Sequence, residues 1–324
     1  MTDRIVFLDK GTIGPGVTLR RPGFAHDWQA FERTARTDVV ERLAGARIAI
    51  TNKVPIRGAD LEQLPDLGLI AVAATGYDVI DTAACAARGV VVSNIRGYAG
   101  HTVPEHTFAL VLALRRNLAQ YRAEVLEGRW VKEDQFCFFN RPIGDLAGTT
   151  LGVVGAGVIG RAVGAIGAAF GMRVLYHDDY APQAPENGAL VSRAELVAEA
   201  DVITVHCPLT DETRGMIGAA EFDAMKPHAL VINTARGGIV DEEALVAAIE
   251  SDRIGGAGID VASVEPTPLD HPLMRIARRW NVLFTPHVAW AGVQAMQSLC
   301  DQLIDNIEAF HRGEPRNTVV PAPL

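Results

Sequence analysis

Apolar runs of strand length alternate along this chain with stretches whose apolar positions recur at helical spacing. Runs such as Val202–His206 (VITVH) and Ala229–Asn233 (ALVIN) are continuously apolar rather than alternating. That is the pattern of parallel strands buried on both faces. The same reading predicts strands at Arg4–Asp9, Arg47–Thr51, Gly68–Ala73, Val90–Ser93, Thr150–Val154, Met172–His177, Gly256–Asp260 and Val282–Thr285. Strand–helix–strand alternation of this kind predicts a doubly wound α/β architecture.

One interval departs from the alternation. Thr102–Leu126 (TVPEHTFALVLALRRNLAQYRAEVL) predicts a single long helix, with Thr102 as N-cap and Pro104-Glu105 in its first turn. It is apolar around much of its circumference, as a core helix, a domain bridge or a subunit contact would be. The aromatic stretch after it, GRWVKEDQFCFFNRPIGDLAG, reads as a wrapping segment. A last amphipathic helix is expected at Gln294–Phe310. These features divide the chain into a domain at 1–98 completed by 291–324, and a second at 99–290.

Composition narrows the function. The 324 residues carry a formal charge of -9, which disfavours nucleic acid and anionic membranes as partners. It does not disfavour a small anionic substrate, because one arginine can dominate a small site. The first ten residues, MTDRIVFLDK, place charges within the apolar run and read as a strand, not a signal peptide. No stretch approaches the roughly 18 apolar residues of a membrane span. The four cysteines, Cys85, Cys137, Cys207 and Cys300, form no CxxC pair. That points away from zinc and disulfides and towards a reducing cytoplasm. No histidine spacing suggests a metal.

The most informative local signal is Gly155-Ala156-Gly157-Val158-Ile159-Gly160, which follows a predicted strand and opens a predicted helix. Gly155 permits the tight turn, Gly157 lets backbone approach a pyrophosphate, and Gly160 lets helix and strand pack closely. The helix N-terminus offers N–H groups to that pyrophosphate. Asp178 ends the next strand, about 20 residues on, where the motif places its acid. A 2′-phosphate would meet both Asp178 and Asp179, so NAD is expected over NADP.

Three polar residues stand at or just after later strand ends: Arg236 in NTARGGIVDEEAL, Glu265 in GIDVASVEPTP and His287 in FTPHVAWAG. Carboxyl strand edges are where open α/β sheets bind ligands. Reduction of a 2-keto acid needs a hydride donor, a proton donor and a cation for the carboxylate and carbonyl oxygens. A nicotinamide supplies the hydride. His287 suits the proton, Glu265 would favour its protonated form, and Arg236 stays charged when desolvated. Gly237-Gly238 would leave a ligand room beside Arg236. Each residue also has a plainer reading: Arg236 in an ion pair with Asp241 or Glu242, Glu265 as a loop carboxylate, His287 as a histidine satisfied within its turn. Their order along one chain favours the catalytic set. His106 reads as a packed core or interface histidine.

In order and spacing, GVVGAGVIG, HCPLTDETRGMI, INTARGGIVDEEAL, GIDVASVEP and TPHVAWA resemble the D-isomer-specific 2-hydroxy-acid dehydrogenases. With AATGYDVID and RGVVVSNIRGYAGHTVPEHTFAL, the resemblance spans nearly the whole chain. It implies a flavodoxin-like substrate domain and a Rossmann NAD-binding domain with a cleft between them. It implies Arg236, Glu265 and His287 as the catalytic trio. It implies an NAD site lined by Thr102, Gly155, Gly157, Val158, Ile159, Gly160, Asp178, Cys207, Pro208, Thr213, Thr234, Ala235, Arg236, Asp260 and His287. Backbone at Ala74, Thr75 and Gly76 would hold the substrate carboxylate, with Arg236 and His287. A homodimer through the Thr102–Leu126 helix region is implied too. TNKVPI, DQFCFFNRPIGDLAG and PHVAWA resemble the glycerate dehydrogenase (hydroxypyruvate reductase) branch, which places Trp290 beside the substrate pocket and Asn52-Lys53 near its far side. Reduction of hydroxypyruvate to D-glycerate is therefore expected. Glyoxylate or other 2-keto-acid reduction, phosphite oxidation and a non-catalytic, corepressor-like NAD sensor are the alternatives. Glu265 in place of an amide counts against formate dehydrogenases, and the chain is expected to lack the regulatory domain of the longer phosphoglycerate dehydrogenases.

Overall fold

The computed structural model describes residues 2–320. The chain divides into two compact units, one taking in residues up to Ala99 and from Ala291 on, the other Gly100–Trp290. Each is built on its own sheet, and each is doubly wound.

In the first unit five strands run β1 (Asp3–Phe7), β2 (His26–Ala30), β3 (Ile48–Thr51), β4 (Leu69–Val72) and β5 (Val91–Ser93). The sheet order is Thr318–Val320, β5, β4, β3, β1, β2. All pairs are parallel except the Thr318–Val320 edge, which runs antiparallel to β5. Both β3 and β4 are buried at every position, as their unbroken apolar runs require. The Val293–His311 helix covers β4, burying Leu299, Cys300, Leu303, Ile304 and Ile307 along one stripe. The two edge strands escape the sequence reading. The second strand, HDWQA, is exposed at Asp27, Gln29 and Ala30 and has no apolar run to betray it.

The second unit holds β6 (Thr150–Val154), β7 (Arg173–His177), β8 (Ala189–Leu190), β9 (Val202–Val205), β10 (Leu230–Asn233), β11 (Gly256–Ile259) and β12 (Val282–Phe284). Their order is β12-β11-β10-β9-β6-β7-β8, all parallel. The order reverses direction at β6, so the crevice beyond its carboxyl end lies between connections leaving on opposite faces.

The single helix expected over Thr102–Leu126 is in fact two, Thr102–Arg115 and Leu118–Leu126. Asn117 breaks it, with φ +52° and its amide Nδ2 donating to Pro142 O at 2.9 Å. Asparagine tolerates this left-handed conformation better than most residues. The first piece buries Val103, Phe108, Leu110, Val111 and Leu114 against the sheet and the Val158–Ala169 helix, so its apolar girth is spent inside the unit. The second piece buries none of its residues. Thr102 does not cap: His101 holds the N-cap position, and the Thr102 hydroxyl donates to Ala289 O at 3.2 Å. Among the described residues no helix is long and apolar enough to cross a membrane.

Candidate active site

The glycine turn divides its labour by position. Gly155 sits at φ +98°, a conformation that excludes an ordinary side chain, and its backbone lies against His206 and Cys207. A Cβ on Gly160 would stand 1.9 Å from Gly155 O, so only glycine lets the helix start this close to the strand. A Cβ on Gly157 would meet nothing within 4 Å. The backbone there is open to an incoming group. Gly157 is also the N-cap of Val158–Ala169 and offers no side chain to the first N–H groups. These groups suit a pyrophosphate. At the end of β7, Asp178 Oδ2 accepts from Ala156 N at 2.7 Å and Oδ1 accepts from Tyr180 N at 2.9 Å, fixing the acid beside the turn.

The neighbouring cofactor candidates lie on the loop after β9. Thr213 Oγ1 donates to Pro208 O at 2.7 Å and accepts from Thr210 N, closing the loop on itself. The half-buried Cys207 lies 4.0 Å from Met216 Sδ, and burial pushes its thiol up to about 11, so it packs as a neutral group. His206 is pushed down to about 3 by burial and is likewise neutral.

Arg236 follows β10 through a braced turn. The buried Asn233 spends both ends of its amide on that turn: Oδ1 accepts from Ala235 N at 3.0 Å, and Nδ2 donates to Arg236 O at 2.9 Å. Thr234 is buried against Thr107, their hydroxyls 3.0 Å apart. The Arg236 Nη1 donates to Ala235 O at 2.8 Å. Neither candidate carboxylate reaches it, for Asp241 caps the next helix through Ala244 N and Glu242 turns to Ser263. Among the described residues no carboxylate oxygen lies within ion-pair distance of Arg236, which stands just beyond a strand end. The glycines beside it act differently from the sequence expectation. A Cβ on Gly237 would fall 2.0 Å from Ala262 C and 2.3 Å from Ser263 N. Its missing side chain makes room for the loop that carries Glu265, not for a ligand. Gly238 serves its own turn, at φ +83°.

That loop brings Glu265 to His287. Glu265 Oε1 accepts from Ala262 N at 3.0 Å, and Oε2 accepts from His287 Nδ1 at 2.6 Å. A carboxylate can only accept, so Nδ1 carries the proton in this pair and Nε2 is the nitrogen left to exchange one. His287 itself is held at φ +53°. Its N–H donates to Asp260 O at 2.7 Å, and Trp290 Nε1 donates to His287 O at 2.9 Å. Asp260, 1% exposed, anchors the whole turn: Oδ1 accepts from Thr285 Oγ1 (2.5 Å) and Val288 N (3.0 Å), and Oδ2 accepts from Ala289 N (2.8 Å). Thr285 has given its one proton to Asp260, so it takes the Nε2–H of His106, 3.1 Å away. His106 thus braces the turn in addition to packing, a role its sequence context did not reveal. Thr102, one helical turn earlier, holds Ala289 of the same turn.

The substrate candidates of the first unit also sit on fixed backbone. Asn52 N donates to Asp9 Oδ1 at 2.9 Å, Lys53 N to Oδ2 at 2.6 Å and Val54 N to Oδ2 at 3.3 Å. Burial pushes the Asp9 carboxyl up, against these three N–H groups, which favour its charged form. Sequence reading passed over Asp9, which looks like an ordinary strand-end acid. Ala74 O accepts from Ile95 N, and Thr75 Oγ1 donates to Ile95 O at 2.8 Å. These anchor the turn that continues into Gly76. Among the described residues no group of three His, Cys, Asp or Glu side chains is placed to hold a metal ion.

Comparison with known proteins identifies the family. Residues 108–289 match the family described as D-isomer specific 2-hydroxyacid dehydrogenase, NAD binding domain. The chain is 49% identical over 320 residues to a glycerate dehydrogenase of Methylorubrum extorquens, covering 98% of this chain and 99% of that one. Among solved structures it resembles an NADPH-dependent glyoxylate/hydroxypyruvate reductase of Sinorhizobium meliloti, at TM-score 0.84 and 31% identity over 98% and 97% of the two chains. A D-lactate dehydrogenase of Aquifex aeolicus, complexed with NAD and lactic acid, aligns at TM-score 0.84 and 27% identity over 99% and 100%.

Proposed function

The chain belongs to the D-isomer-specific 2-hydroxyacid dehydrogenases, and from that premise we propose that it reduces hydroxypyruvate to D-glycerate with NADH. It is an NAD-dependent oxidoreductase of CH–OH groups. The choice of acid rests on likeness to the Methylorubrum glycerate dehydrogenase along almost the full length of both chains. The observation that carries the chemistry is the 2.6 Å hydrogen bond from His287 Nδ1 to Glu265 Oε2, which leaves Nε2 to deliver a proton.

Geometry and family resemblance together support the proposed roles. NADH, when bound, supplies the hydride. Gly155, Gly157, Val158, Ile159 and Gly160 would hold its pyrophosphate, and Asp178 its adenosine ribose. We assign Thr102, Cys207, Pro208, Thr213, Thr234, Ala235 and Asp260 to the same cofactor on the resemblance. Arg236 binds the substrate carboxylate and polarises the carbonyl, a role supported by its permanent charge and its braced backbone. His287 Nε2 protonates the developing alkoxide, and the Glu265 carboxylate stabilises the imidazolium that donates. Asn52, Ala74, Thr75, Gly76 and Trp290 are assigned to the substrate.

The test is NADH oxidation at 340 nm with hydroxypyruvate, glyoxylate, pyruvate, 2-ketobutyrate and phenylpyruvate, with NADPH in parallel. Hydroxypyruvate with NADH is expected to lead. Preference for a bulkier acid would discard the substrate, and preference for NADPH would discard the role of Asp178. NADH binding without turnover of any acid would favour a sensor.

We also propose a homodimer joined through the region beginning at the Thr102–Leu126 interval. The support is exposed apolar area concentrated just beyond the buried first helix, at Leu118, Leu126, Val131, Phe136 and Phe139. Light scattering should give twice the 34.7 kDa chain mass, and a monomer at micromolar concentration would refute it. Free cysteines throughout support placing the protein in a reducing cytoplasm.

A further inference from the structure

Outside the proposed trio, one polar cluster has connections that simple stability does not require. Glu242 is the first residue of the Glu242–Glu250 helix, which follows Arg236 by a short turn. A carboxylate at this point has an obvious local use, at the positive end of its own helix. That use is already taken by Asp241, which caps Ala244 N. The Glu242 side chain instead reaches across to the next loop and grips one residue twice. Oε1 accepts from Ser263 N at 2.7 Å, and Oε2 accepts from Ser263 Oγ at 2.6 Å.

The same Oε2 is held by a second donor. His271, 7% exposed, places Nε2 3.2 Å from Glu242 Oε2. Its Nδ1 accepts from Leu273 N at 3.3 Å, so the ring proton sits on Nε2 and is donated to Glu242. Ser263 is therefore clamped to a carboxylate that is itself clamped. Ser263 stands two residues before Glu265 and directly after Ala262, whose N–H Glu265 Oε1 accepts. Behind both, Gly237 lets the Arg236 turn press against the Ala262–Ser263 backbone.

We propose that Glu242 is a positioning residue for the reaction. By holding Ser263 it locks the loop of Glu265 to the turn of Arg236, so the carboxylate is aimed at His287 Nδ1 while the cation stays in register with it. Glu242 touches neither substrate nor the reacting atoms and acts through Glu265. The inference rests on the catalytic reading of Glu265 and His287 given above.

A double-mutant cycle separates this role from plain structural support. The variants are Glu242→Gln, Ser263→Ala, Glu265→Gln and the double Glu242→Gln/Glu265→Gln, assayed with NADH and the best keto acid across pH. Glu242→Gln is expected to lower kcat about tenfold, since small misplacement of a catalytic group is costly, with KM for NADH unchanged. Its pH–rate profile should move in the same direction as that of Glu265→Gln. Once Glu265 is already glutamine, adding Glu242→Gln should change kcat less than about twofold. Ser263→Ala keeps the backbone tie and should lose about threefold, which serves if Glu242→Gln folds poorly. Losses that multiply in the double variant, or an unmoved pH profile in both Glu242→Gln and Ser263→Ala, would overturn the inference and leave the catalytic reading standing. A Glu265→Gln variant with unchanged kcat and pH profile would overturn both.

Discussion

Replacing His287 with alanine is expected to lower kcat for keto-acid reduction by about a thousandfold, the usual scale for removing a positioned general acid. The argument begins at the turn. His287 is held in a left-handed conformation by its own N–H on Asp260 O and by the Trp290 indole on its carbonyl. Backbone strain of this kind persists only where the surroundings impose it. Here the surroundings are a buried carboxylate, Asp260, that spends three acceptor contacts on Thr285, Val288 and Ala289. The imidazole orientation is then completed by Glu265 at Nδ1. These ties fix Nε2, and alanine removes the whole ring, both Nε2 and the Nδ1 bond to Glu265, while leaving the turn's backbone ties in place. The loss should therefore appear in kcat more than in KM, and the limb of the rate profile governed by proton donation should disappear. Steady-state rates across pH, with thermal unfolding run on the same preparations, provide the check. A variant that keeps the wild-type pH profile would show that the proton comes from elsewhere.

How much of this could be read from the sequence depends on what each residue answers to. β9 and β10 were legible because both faces are buried, and burial on both faces leaves an unbroken apolar run. The edge strands were not, because HDWQA and Thr318–Val320 pair on one side only and answer mainly to hydrogen bonding. The helix break at Asn117 was hidden for a similar reason. The apolar spacing continues through it, and the interruption rests on a long-range bond to Pro142. At the glycine turn, Gly155, Gly157 and Gly160 serve local geometry, which the motif encodes. Gly237 serves a loop some 25 residues on, which no local pattern encodes. The same holds for Asp9, His106 and Glu242. Each is an ordinary polar residue whose importance is a contact between distant segments. The pairing of Glu265 with His287 stood between these cases. Sequence supplied the two residue types at two strand ends, and only the fold supplied the 2.6 Å between them.

Arg236→Ala should be the most damaging change in kcat/KM, by about a thousandfold or more, equivalent to about 4 kcal/mol of transition-state stabilisation. Two functions are lost together, since one planar fork is proposed both to bind the carboxylate and to polarise the carbonyl. The structure makes the loss hard to repair. The guanidinium stays charged in any environment, and its one described hydrogen bond is to a backbone oxygen, Ala235 O. Its backbone is pinned on both sides of the turn by the Asn233 amide, and its Nη1 leans on Ala235 O. A lysine would retain the charge but offer a single point of donation at the end of a flexible stem. Arg236→Lys is accordingly expected to recover substrate binding better than turnover: KM should return towards the wild-type value while kcat stays low. That split separates the two functions. If lysine restores kcat fully, the planar fork is not needed for polarisation. If alanine at this position raises KM but leaves kcat intact, Arg236 binds substrate and transition state alike, and polarisation must come from another donor.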